Sequence, residues 1–241
     1  MKRLGYIAAI VLSLLFFAVL VLPTILPNEM FHFIKVSNTG YSKKVTVYLI
    51  SWYGCPYGAS LSWPLYDALS HFGNISAASH YSIYESDVGG YVPGLIFLNF
   101  RPNSSLSFHV IYLYNQYLNA SPNGTYMANL VSGGLNELKV EAPKWIYTLV
   151  DKYDVNDRNI FTGLSLSSPA YLGNPPHIPT TLIITGPNGT WILIGYLNQL
   201  NPSSLSVQTK GPINEEQLLA NPTVIKTSNT IITIIDASGY N

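Results

Sequence analysis

The only cysteine of the chain, Cys55, stands in the run Ser51-Trp52-Tyr53-Gly54-Cys55-Pro56-Tyr57-Gly58, after a strand-like stretch and before a helix-like one. A thiol at a helix N-terminus meets unpaired N–H groups and the positive end of the dipole. Both stabilise a thiolate and lower its pKa from about 8.5. Pro56 suits the first helical turn, where its missing N–H costs nothing, and Trp52 and Tyr53 would wall the thiol. The competing reading is packing, because free cysteine is among the most buried residue types. One cysteine excludes an internal disulfide and any multi-cysteine zinc or iron–sulfur site. His32, His71, His80 and His109 show no metal-ligand spacing, and Asp67, Glu85 and Asp87 show no paired-carboxylate pattern. No Ser-His-Asp set or phosphate-binding glycine loop is present, so neither metal nor cofactor is expected.

Composition sets the surroundings of that thiol. The 241 residues carry twelve Lys+Arg against twelve Asp+Glu, and charged residues amount to 10%, against roughly 25% in ordinary soluble proteins. Such a chain lacks the electrostatic footprint of a nucleic-acid binder. Its 48% apolar content excludes a disordered protein.

Met1-Lys2-Arg3 precedes an uncharged run from Leu4 to Leu26, which as a helix is about 35 Å long and spans a bilayer core of about 30 Å. The basic pair places the N-terminus in the cytoplasm and the rest outside. A cleaved signal peptide, the alternative, has a shorter apolar region and a small-x-small cleavage site. Residues 1–27 are therefore expected to be an uncleaved single-pass anchor, ended by Pro23 and Pro27, with 28–44 as a stalk. Asn74, Asn103, Asn119, Asn123 and Asn188 each head an N-x-[ST] triplet, as on a glycosylated surface protein.

The rest reads as one α/β domain over 45–241. Lys44–Trp52 is nearly continuously apolar, like a strand buried on both faces. Leu61, Leu65, Ala68, Leu69 and Phe72 keep helical spacing up to Gly73-Asn74. Ile75–Tyr84 is extended, and 94–101 with 106–114 is expected to form a hairpin across Pro102-Asn103-Ser104-Ser105. Residues 119–134 read as loop, with Gly133 and Gly134 as turn glycines. Leu135–Tyr153 reads as helical, restarting at Pro143. Thr180–Thr185 and Thr190–Tyr196 flank the hairpin signal Gly186-Pro187-Asn188-Gly189. The last segment has strand composition but helical spacing of Val224, Ser228, Ile231 and Ile235. Asn221 and Pro222 are its N-cap and first residue.

The order strand, aromatic, Cys55-Pro56-Tyr57, helix resembles the thioredoxin-like superfamily, as does Ile178-Pro179-Thr180 ahead of a hairpin and a last helix. The resemblance covers roughly residues 45–80 and 175–237, and implies a central mixed sheet with flanking helices and an insertion at about 85–174. It implies that Pro179 is a cis-proline packed against Cys55. Trp52, Tyr53, Pro56, Tyr57, Gly58, Ile178 and Pro179 would then form the peptide-binding shell around a nucleophilic Cys55. His177, two residues before Pro179, would face the thiol as an imidazolium that lowers its pKa.

More narrowly, the stretch SWYGCPYGA in a membrane-anchored, Tyr- and Asn-rich chain resembles a crenarchaeal family called domain of unknown function 929. The decisive departure is Gly58, which replaces the second cysteine of Cys-x-x-Cys. Net dithiol oxidation or reduction needs that second thiol. Monothiol disulfide exchange or isomerisation on surface proteins remains. The alternative is a non-catalytic binding or chaperone module that engages its protein or peptide partner without the thiol.

Overall fold

The computed structural model describes residues 11–13, 30–157 and 167–240. The expected anchor lies outside the described residues except for 11–13, which are helical. Among the described residues no helix is long and apolar enough to cross a membrane.

Seven strands form two sheets: β1 (Ile34–Ser37), β2 (Thr46–Ser51), β3 (Gly73–Tyr81), β4 (Pro93–Pro102), β5 (Ser107–Tyr112), β6 (Thr181–Gly186) and β7 (Gly189–Ile194). The larger is a mixed sheet of order β1-β7-β6-β2-β5, in which β2 runs parallel to β5 and antiparallel to β6. All six residues of β2 are buried, as its continuous apolar run implies. Alternation sends Val47 and Leu49 to one face, where they join Leu61 and Leu65 of α1 (Pro56–Ser70). Tyr48 and Ile50 face the other way.

That second face is covered from further along the chain. α2 (Leu130–Glu141) and α3 (Lys144–Val150) follow one another, with Pro143 between them as the N-cap of α3. Ile146, Leu149 and Val150 of α3 pack in one cluster with Tyr48 and Ile50. The short α4 (Glu215–Leu219) leads to α5 (Pro222–Ala237), whose Ile231 and Ile235 pack with Val47 and Leu49. Asn221 caps α5, its side chain accepting from the Thr223 N–H, so helical periodicity prevails there over strand composition.

Four expectations change. The stalk is not one, because residues within 28–44 join the domain. Met30 is buried, and β1 pairs with β7, whose edge would otherwise be bare. Residues 94–101 and 106–114 do not form a hairpin. β4 pairs with β3 over its whole length, while β5 extends the sheet beside β2. The Asn103 N–H bonds to the Phe72 carbonyl, which pins the connection where β3 begins. The interval 85–174 is not a separable insertion, since β5 and α3 belong to the main sheet and its cover. Gly133 and Gly134 are helical, in α2; a Cβ at Gly134 would collide with the Tyr114 hydroxyl.

Candidate functional site

Cys55 ends the turn after β2 and is the N-cap of α1. The Gly58 N–H donates to Sγ at 3.3 Å, so the thiol occupies the place of a capping oxygen. Thr180 Oγ1 lies 3.0 Å from Sγ, and Ser51 Oγ lies 2.8 Å from Thr180 Oγ1. The three side chains form one buried hydrogen-bonded row from the end of β2 to the entry of β6.

The row also explains Gly58. A Cβ there would collide with Ser51 Oγ and stand 3.2 Å from Thr180 Oγ1. The space in which the resemblance implies a second thiol is filled by hydroxyls. Cys55 is only 4% exposed, and this reverses the pKa expected at a helix N-terminus. Burial pushes the thiol up, while hydrogen bonds from Thr180, Gly58, Tyr57 and Ser51 pull it partly back.

Two clefts meet at Cys55. One, about 440 Å³, is lined by Trp52, Cys55, Tyr57, Glu85, Asp87 and His177 among others. The other, about 270 Å³, is lined by Phe31, Cys55, Tyr57, His177, Pro179 and Thr180 among others. Phe31 stacks on Tyr196 at 4.3 Å and meets Tyr57 edge-on, so the supposed stalk supplies a wall of the site. Pro56 and Tyr57 both line the larger cleft, one buried and one half-buried.

His177 shares both clefts with Cys55, but not as an imidazolium, because burial lowers its pKa. Its Nδ1 lies 2.7 Å from the Pro175 carbonyl oxygen. That oxygen only accepts, so Nδ1 carries the proton and Nε2 keeps a free lone pair. The ring packs edge-on against Trp52 at 5.9 Å.

Other expected site residues are not gathered so closely. Tyr53 lines neither cleft and stacks on Tyr112 at 4.6 Å. Ile178 is fully buried, its N–H donating to the Tyr114 hydroxyl at 3.1 Å. Pro179 is not a cis-proline. Among the described residues the cis peptide is Asn174–Pro175, and 176–180 lead irregularly into β6. Trans is the default for X-Pro by about 0.5–1 kcal/mol. The five sequon asparagines are all exposed.

Ser51, Thr180 and the carboxylates Glu85 and Asp87 were not singled out from sequence as site residues. Asp154 was missed as well. It is fully buried in a π-helical turn, Asp151–Asn156. Oδ2 accepts from Thr181 Oγ1 at 2.8 Å, while Oδ1 has no partner among the described residues. Burial pushes its pKa up to about 8. The sequence signal for the hydroxyl row is slight: a serine closing an apolar strand, and a glycine three residues after a cysteine. Among the described residues no group of three or more His, Cys, Asp or Glu could hold a metal ion.

No curated protein and no solved structure matches the chain. A family model described as a domain of unknown function, DUF929, matches residues 32–238, from the segment before β1 to the end of α5, and the chain belongs to that family.

Proposed function

We propose that this chain is a thioredoxin-like monothiol protein, anchored through residues 4–26 and displayed outside the cell, where Cys55 rearranges disulfides of protein or peptide partners. The observation that carries the reading is the setting of Cys55: a thiol capping α1, tied to a hydroxyl row, at the junction of two clefts. The succession of β2, Cys55, α1, the Pro179 stretch, the β6–β7 hairpin and α5 supports the thioredoxin-like part. The anchor and outside location rest on the Leu4–Leu26 run and the sequons.

The chemistry follows from having one thiol. Cys55 loses its proton to solvent in the cleft as a partner disulfide docks, and Thr180 O–H turns to donate to the thiolate. Sγ attacks one sulfur of the disulfide; the new S–S bond forms as the old one breaks, and the departing thiolate takes up a proton from solvent. A free thiol of the same partner then attacks the mixed disulfide, releases Cys55 and closes a different pairing. The number of disulfides is unchanged, so no oxidant or reductant is consumed.

The test uses a scrambled disulfide protein that retains one free thiol. The intact chain should accelerate recovery of native pairing, and Cys55→Ser should remove the acceleration. Equal rates for the two proteins would refute the reading. The burial of Cys55 favours the second reading, a non-catalytic binding or chaperone module. Partner capture that is unchanged in Cys55→Ser, with no mixed disulfide trapped by the parent, would establish that one instead.

A further inference from the structure

We propose that the larger Cys55 cleft selects cationic partners, namely a cysteine or disulfide sulfur flanked by a lysine or arginine side chain. The proposal rests on Cys55 exchanging disulfides and names the partners with which it does so. Glu85 and Asp87 line the same cleft as Cys55, and no lysine or arginine lines it. Among the described residues neither carboxylate has an ion-pair partner, and the two repel: Asp87 adds to the burial that raises the Glu85 pKa. Lys210 is engaged over the Tyr91 ring, its Nζ 4.6 Å from the centroid.

The loop that carries the carboxylates is held by its backbone. Glu85 and Gly90 exchange both backbone hydrogen bonds, at 3.1 and 3.0 Å, and Tyr91 and Val207 exchange another pair. Val88, between them, is buried. At the base of this loop the Ile83 N–H donates to the Gly54 carbonyl at 2.9 Å, tying the loop to the residue before Cys55. The backbone that carries the two carboxylates is thus tied to the segment that carries the thiol.

A second observation points to a peptide. Trp52 lines the cleft and is 4% exposed, and its indole N–H has no partner among the described residues. A buried donor without an acceptor is costly, and a partner's backbone carbonyl would satisfy it. The half-buried ring of Tyr57, also in the cleft lining, suits the apolar stem and charged end of a basic side chain. An anionic partner would meet uncompensated carboxylates, which is the usual electrostatic basis of selection.

The experiment compares three methanethiosulfonates on the full chain: neutral methyl, cationic trimethylammonioethyl and anionic sulfonatoethyl. With each, the Cys55 thiolate attacks the sulfenyl sulfur, a protein disulfide forms and methanesulfinate leaves. Rates are normalised to the neutral reagent on the same protein and to a free model thiol. The cation should outpace the anion by about tenfold at low ionic strength, a preference that shrinks in high salt. Glu85→Gln with Asp87→Asn should bring the ratio close to one. A ratio of one in the parent, with the neutral reagent reacting readily, overturns the proposal and leaves disulfide exchange standing. No reaction with the neutral reagent overturns both.

Discussion

Thr180 and Thr181 are consecutive residues at the entry to β6, yet they serve two buried polar regions of opposite character. Thr180 joins Cys55 to Ser51, and each of those three side chains has a partner. Thr181 gives its hydroxyl to Asp154, whose other oxygen is bare among the described residues. The first network accommodates both protonation states of its acid. A thiol can donate to Thr180, and a thiolate can accept from it. The second accommodates one state only, since an ionised Asp154 would be a buried charge with a single hydrogen bond. A satisfied row suits a group that must react, whereas a half-satisfied carboxyl is stable as the neutral acid.

The largest expected effect probes the Asp154 side. Its folded pKa of about 8 lies above the model value of 3.8, so the native state holds this proton more tightly than the unfolded chain. Stability therefore falls as pH rises from about 4 to about 8 and is level above. The slope approaches 1.4 kcal/mol per pH unit in that window. Asp154→Asn cannot ionise, and should lose on the order of 3 kcal/mol less than the parent between pH 5 and pH 8. Urea midpoints at the two pH values measure this, and the histidines, common to both proteins, cancel in the difference. Parallel pH profiles would show that Asp154 is ionised in the fold and would break the contrast.

Gly58 tests the Cys55 side at a smaller scale. Gly58→Ala forces a methyl against Ser51 Oγ and should cost about 1–3 kcal/mol, as overpacking of a filled core does. Adding Ser51→Ala removes the colliding atom, so the double variant should be more stable than the sum of the single changes predicts. Additive effects in a denaturation cycle would mean that the hydroxyl row is not what keeps residue 58 a glycine.

The two regions also differ in how far the sequence discloses them. Cys55 at its strand–helix junction is legible because the signals are local: an apolar run, a proline at the first helical position, and apolar residues at three- and four-residue spacing. The β6–β7 turn and the Asn221–Pro222 start of α5 are legible for the same reason. Tertiary partners decide the rest. Whether β4 pairs with β3 or β5, and whether Ile34–Ser37 is a stalk or an edge strand, depends on which sheet edges are vacant. The expected lowering of the thiol pKa failed because dipole and N–H groups are local, whereas burial comes from the Thr180 stretch and the cleft walls. Asp154 is one carboxylate in DKYDVND, and nothing nearby in sequence says that it faces inward.

The finest distinction is between the two threonines themselves. Thr180→Val keeps the side-chain shape and deletes the hydroxyl that can donate to Sγ, so the thiolate loses a donor and the Cys55 pKa moves further up. Alkylation below the pKa should therefore slow, on the order of threefold. Thr181→Val, one residue away, removes a partner of Asp154 and leaves the row at Cys55 intact, so alkylation should be unchanged while the pH dependence of stability steepens at its upper end. The rate of Cys55 alkylation across pH 7–10 in the two variants separates them. Equal slowing in both would mean that the entry to β6 responds as a unit, and that the division of work between its two hydroxyls is only geometric.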